Sequence, residues 1–317
     1  MNVETKQAKP EIESIGFTNY LLSKGYSSGT AKTYAKDAAY FTAWAEKENV
    51  PIGAVNYADV LHYIQIKKIS VKQSTISIIV NSLKHYFNYL HSCGESSKNP
   101  INGIKIRGIK RSILYHILKV RELEQLYESF EIPKENDPKK NQNWFKASLL
   151  SAKRNKVILG LMIWQGLNAM ELSRLTVKDL KLREGKVFIA GSRRSNQRTL
   201  KLESLQIMDL MEYIHTIRKE YLVLSKKQSD RLFISSGTGN RFNNLMQKFM
   251  QKLKEKNPNV NNSKQIRASV ITHWLKQYNL RQVQYMAGHR YVSSTEAYLV
   301  NDIDDLLEDI GKYHPIG

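Results

Sequence analysis

Cysteine is almost missing from this chain: 317 residues contain one, Cys93. A lone thiol cannot close an internal disulfide or build a paired-cysteine metal site. That usage is the one expected in a reducing cytoplasm. No stretch approaches the roughly 18 consecutive apolar residues of a membrane span. The opening MNVETKQAKPEIES has no apolar centre, so no secretory signal is expected there. Internal repeats and low-complexity tracts are absent. Acid is scarce as well: 29 Asp and Glu stand against 49 Lys and Arg, a net charge of +20, with a pI near 9.7. What is present is enough apolar material, 41% of residues, for the cores of about two domains. A pI that high is the electrostatic footprint of a nucleic-acid binder.

The charge is unevenly spread. From Lys98 to Arg121 there are seven Lys and Arg and no acid, whereas DIDDLLED at 302–309 carries five acids. Apolar spacing and capping residues predict helices through 15–92, closed by Gly94. The aperiodic stretch CGESSKNPINGIKIRGIKR breaks that pattern. The sequence therefore divides into a loose tail at 1–14, a helical domain at 15–95, a basic linker at 96–118 and a larger domain at 119–317. In the larger domain KVRELEQLYESF and the whole of AKRNKVILGLMIWQGLNAMELSRLTVKDL read as helical. GKVFIAG and QRTLKLE read as two strands joined by SRRSN. Helices are expected at 203–224, 241–256, 264–277, 280–287, 293–299 and 302–311. The last has Ile303, Leu306, Leu307 and Ile310 on one face and acid on the other.

Four residues near the C-terminus suit attack on a phosphodiester. Lys264 and Arg267, three apart on a helix, share a face and offer two cations to an anion. His289 follows a glycine at an expected helix end, and Tyr298 lies nine positions beyond it. A phenolic oxygen can attack phosphorus and form a covalent phosphotyrosine. Fixed cationic donors then stabilise the charge that spreads over the non-bridging oxygens, and histidine can hold a proton near neutral pH. Each residue alone would be read as packing or surface; it is the combination on a strongly basic chain that points to chemistry.

This constellation resembles the signature of tyrosine recombinases, the phage integrase family, of Xer-like type. Lys264, Arg267, Gly288, His289 and Tyr298 match its C-terminal pattern. Gly166, Leu167, Glu171, Leu172 and Asp179 match its first box, and KVFIAGSRRSNQRTLKL resembles its catalytic hairpin. The resemblance implies a mainly α fold with a small β-hairpin. A helical SAM-like core-binding domain and a catalytic domain would form a C-shaped clamp on double-stranded DNA. It further implies a site-specific recombinase working through a 3′-phosphotyrosine, without cofactor or metal. A homotetramer on DNA would be linked by the C-terminal helix, in the cytoplasm of a prokaryote at its nucleoid.

Two departures stand out. Asn168 occupies the position of the first-box arginine, and loss of one preorganised donor typically costs about 3–4 kcal/mol in the transition state. Arg154, Lys153 or a spare member of the Arg193–Arg194 pair is expected to compensate. Arg193 stands where the hairpin lysine is usual, keeping the charge but poorly suited to donate a proton; Lys264 or His289 would then serve as the acid. Phosphate contacts are expected from Lys72, Lys84 and His85 on helices, from Lys98, Lys105, Arg107, Lys110 and Arg111 in the linker, and from Arg194. The alternatives are a catalytically weakened DNA-binding protein on the same scaffold and a type IB topoisomerase-like enzyme.

Overall fold

The computed structural model describes residues 15–108, 115–134, 138, 141–226, 228–234 and 242–299. The expected tail at 1–14 and terminal helix at 302–311 lie outside these, as do Lys110 and Arg111. The chain divides between Arg111 and Ser112 into two compact units.

The first unit is a helical bundle: α1 (15–23), α2 (Ser28–Lys47), α3 (Tyr57–Ser70) and α4 (Gln73–Ser92). Local chemistry sets the starts. Ser27 accepts from the Thr30 backbone to cap α2, and Asn56 with Asp59 forms a reciprocal cap on α3. The helical spacing of Tyr34, Ala38 and Phe41 turns one stripe of α2 into a core with Phe17, Tyr63, Leu83 and Phe87. Phe41 meets Tyr63 edge-on, centroids 5.0 Å apart. Residues 96–108, read from sequence as linker, lie on this unit. Ile101 is buried, and Ile104 and Ile106 pack against the same core. Asn99 donates to the Lys84 carbonyl and Gln73 to the Arg107 carbonyl, so the segment runs back along α4.

The second unit holds α5 (Val120–Glu128), α6 (Asn143–Ile163), α7 (Ala169–Arg174), α8 (Ser204–Glu212), α9 (Arg218–Ser225), α10 (Phe242–Lys256), α11 (Ser263–Gln277), α12 (Leu280–Ala287) and α13 (Ser293–Glu296). The expected single helix over the first-box region is corrected. α6 stops at Ile163, and Gly166 takes a left-handed φ of +57°. Asn168 then starts a new, short α7 as its N-cap. Helical periodicity continues across this break, which is why spacing alone does not reveal it. The segment expected as one helix over 203–224 runs as α8, a π-turn at Tyr213–Ile217, and α9. The two expected strands are β2 (Lys186–Ile189) and β3 (Arg198–Lys201). A two-residue strand the sequence did not reveal, β1 (Leu180–Lys181), completes an antiparallel sheet in the order β1-β2-β3. Val187 pairs with Leu200 and Ile189 with Arg198. Strand alternation therefore sends Arg198 inward, to the side of Leu200.

Candidate active site

The site grows from the break between α6 and α7. Asn168 Oδ1 accepts from the backbone N–H groups of Met170 and Glu171, both at 3.0 Å. The Asn168 N–H in turn donates to Glu171 Oε2 at 3.0 Å. The asparagine is thus committed through its oxygen to capping, and the cap aims Glu171 inward, where it is only 7% exposed.

Two guanidiniums converge on that carboxylate. Arg198 Nη1 from β3 donates to Glu171 Oε1 at 2.8 Å, and Arg267 Nη1 from α11 approaches Oε2 at 3.3 Å. Arg267 is further fixed by the Gly166 carbonyl and by the Ala287 carbonyl at 2.6 Å. Burial pushes the Glu171 carboxyl up, but the Arg198 hydrogen bond and the two positive charges outweigh it and hold it below the usual carboxylate range. Burial pulls Arg267 below its ordinary pKa, and Glu171 opposes that.

α12 delivers His289. Gly288 ends the helix with φ +69°, a left-handed cap that glycine adopts without strain. His289 Nε2 lies 3.5 Å from Arg267 Nη2, and Nδ1 lies 2.9 Å from the hydroxyl of Thr295. Arginine can only donate, so Nε2 is the acceptor and Nδ1 carries the proton. Burial first, then Arg267 and Arg198, lowers the imidazole pKa to about 4. Thr295, fully buried, also accepts the Tyr298 N–H through its carbonyl at 3.0 Å. Tyr298 stacks on His289 with ring planes 11° apart and centroids at 5.7 Å. Tyr298 is also near enough to Arg267 to raise the guanidinium's pKa against the pull of burial. Thr295, Glu171 and Arg198 are the members of this network that sequence reasoning left without a role. Only Glu171, by its place in the first box, carried a signal.

The hairpin is tied to the same turn. The Asn196 N–H donates to the Gly288 carbonyl at 3.0 Å, and Arg290 Nη1 donates to the Arg193 carbonyl at 3.1 Å. Arg193 and Arg194 sit exposed at its tip. Lys264 is exposed in the first turn of α11, one turn ahead of Arg267.

Two expected compensators for Asn168 do not serve. Arg154 is buried elsewhere, donating to the Ile234 carbonyl and the Asn155 side chain. Lys153 pairs with Glu212 at 2.6 Å. Both lie on α6 facing the α8–α9 side of the unit, because α6 ends before the site begins. On the first unit, Lys72, Lys84, Lys98, Lys105 and Arg107 are exposed. His85 is instead drawn into an aromatic cluster, stacked on Tyr34 and bonded to Tyr26 at 2.9 Å.

A compact constellation of arginine, histidine and tyrosine on a small sheet and helical scaffold defines a class, and comparison with known proteins names it. Residues 137–303 match the phage integrase family, and residues 15–94 match the phage integrase N-terminal SAM-like domain. The chain belongs to the phage integrase family. It is 24% identical over 306 residues to tyrosine recombinase XerC of Oceanobacillus iheyensis, covering 94% of each chain. It is 25% identical to tyrosine recombinase XerD of Shewanella oneidensis, covering 99% of each. In fold it is similar to the XerH site-specific recombinase bound to a palindromic difH substrate in a post-cleavage complex (TM-score 0.69, 18% identity, 98% of this chain and 90% of that one). It is also similar to a lambda integrase dimer bound to a COC′ core site (TM-score 0.60, 12% identity, 92% and 77%). Among the described residues no helix is long and apolar enough to cross a membrane.

Proposed function

We propose that this protein is a site-specific DNA recombinase that cuts and rejoins strands through a 3′-phosphotyrosine at Tyr298. The observation that carries this reading is the stacking of Tyr298 on His289, whose Nε2 lies 3.5 Å from Arg267. That puts the nucleophile near the group suited to hold a phosphate. The phenolic oxygen bonds to phosphorus, the phosphorus–5′-oxygen bond breaks, and the 5′-hydroxyl leaves with a proton. In the reverse step a 5′-hydroxyl of the partner strand attacks the phosphotyrosine and frees the phenol. The phosphoester energy is kept in the protein link.

Arg267 holds the charge on the non-bridging oxygens. A histidine with a pKa near 4 is neutral at pH 7, so His289 is not suited to supply a proton, and the phenolic proton passes to water. Protonation of the leaving oxygen then falls to Lys264, with Arg193 adding charge from the hairpin. DNA is gripped through Lys72, Lys84, Lys98, Lys105 and Arg107 on the first unit and Arg194 on the second, with Lys110 and Arg111 extending the basic segment. Assembly as a homotetramer on DNA, joined through the terminal segment, and action on DNA in the cytoplasm belong to the same reading.

A second reading, a DNA-binding protein with little catalysis, is favoured by Asn168 alone. A pool of nicked suicide duplexes with randomised cores separates the two. The enzyme traps a covalent adduct that survives denaturing electrophoresis and vanishes in Tyr298→Phe. In Asn168→Arg the adduct should rise, while loss of the cap costs about 1 kcal/mol of stability. An adduct that persists in Tyr298→Phe would overturn the reading.

A further inference from the structure

Arg198 is an unusual occupant of its position. A strand residue facing the core of a three-stranded sheet is normally apolar, yet here it is an arginine whose side chain is fully buried. Among the described residues its hydrogen bond is to Glu171, and its Nε and Nη2 have no partner. Orphaned buried donors cost stability, so the residue is not there for stability alone. Its guanidinium lies directly under Gly288. A β-carbon on that glycine would collide with Arg198 Nη1 and come within 2.8 Å of Cζ. The buried charge therefore sits immediately beneath the turn that presents His289.

The charge balance of the cluster gives this placement a purpose. Arg267 shares Glu171, and a carboxylate paired only with Arg267 would cancel the one buried guanidinium that also reaches His289. With Asn168 neutral at the first-box position, that position adds no second cation to the cluster. We propose that Arg198 is a positioning residue that acts as the counter-ion of Glu171, leaving the positive charge of Arg267 free for the scissile phosphate. The cluster of Arg198, Arg267 and Glu171 then keeps one net positive charge. Arg198 itself does not touch DNA; it acts through Glu171 and through its field on His289. This inference rests on the recombinase reading.

The test reads the charge count on His289 in the free full-length protein, by NMR titration of the imidazole, together with the adduct assay and thermal melting. Arg198→Met removes a cation, so the His289 pKa should rise by about one unit or more. Glu171→Gln removes the anion, and the pKa should fall. The double variant Glu171→Gln/Arg198→Met restores the count and should bring the titration back toward wild type. It also leaves no unpaired buried carboxylate, so it stays informative if Arg198→Met does not fold. Adduct formation should drop roughly tenfold or more in Arg198→Met and be largely rescued in Arg198→Lys, which keeps the charge. A merely structural arginine predicts adduct losses that track melting temperature and no charge-ordered series at His289; that result would overturn the proposal. So would wild-type adduct yield in a folded Arg198→Met. If the wild-type protein forms no Tyr298 adduct with any duplex, the recombinase reading fails, and the titration series alone decides whether Arg198 sets the charge.

Discussion

Among the described residues, only the second unit buries charged side chains. In the first, the buried polar residues are Ser82 and Ser96, and every lysine and arginine described is at the surface or half-exposed. In the second, Arg154, Glu171, Arg198, Arg218 and Arg267 are all buried, together with Gln165, Gln206, Gln265 and Thr295. Surface cations act singly, are screened by salt and tolerate substitution. Buried charges survive only in networks whose members support one another. Surface cations like those of the first unit suit a polyanion held by many weak contacts. Buried groups in fixed positions, like those of the second, suit the stabilising of a transition state.

Two glycines break this comparison most sharply. Gly94 and Gly288 both end helices with positive φ, +77° and +69°. A β-carbon at Gly94 meets nothing within 4 Å, whereas at Gly288 it strikes the Arg198 guanidinium. Gly94→Ala should cost about 1 kcal/mol of backbone strain. Gly288→Ala adds disruption of a buried ion pair, a loss of about 3–5 kcal/mol. Chemical denaturation of each variant checks the pair, and equal costs would mean that the Arg198 side chain relaxes freely.

Salt dependence comes next. Replacing Lys72, Lys84, Lys98, Lys105 and Arg107 together by glutamine should flatten the slope of log affinity against log salt by about 0.9 for each phosphate no longer neutralised. The rate of adduct formation from bound DNA should stay unchanged, since these residues lie outside the catalytic unit. A changed slope with a changed cleavage rate would show that the grip and the chemistry are coupled.

A third difference is in pH. His289 titrates lower in the folded protein, near 4, than in an unfolded chain, near 6.5. Between those values the unfolded state binds the extra proton, so stability is full above about pH 6.5 and declines as pH falls toward 4. Melting temperature followed over that window should lose part of its slope in His289→Gln. An identical slope would mean that other groups carry the acid sensitivity.

Much of this was open to reading in the residues. Cap residues and apolar spacing are local, so α2, α3, α4, α11 and α12 were legible, and the fixed interval from His289 to Tyr298 marked two residues that the structure stacks together. The break at Gly166 and Asn168 was not, because a helical apolar period runs straight across it. Nor was the fate of His85, whose basic neighbourhood suggested phosphate while its helix face led it to Tyr26 and Tyr34. Arg154 and Lys153 looked available as compensating cations because spacing tells which face of a helix is apolar, not which distant groups a cation on that helix meets.

Composition, charge and short-range pattern, which depend on each residue and its near neighbours, settle that this is a basic, mainly helical protein carrying a tyrosine, a histidine and an arginine at a recognisable interval. The partnership of Glu171 with both Arg198 and Arg267, across separations of 27 and 96 residues, is a matter of tertiary structure alone. It exists because strand alternation on β3, a capped start to α7 and the buried face of α11 bring three distant chain segments to one point. No local propensity contains that coincidence.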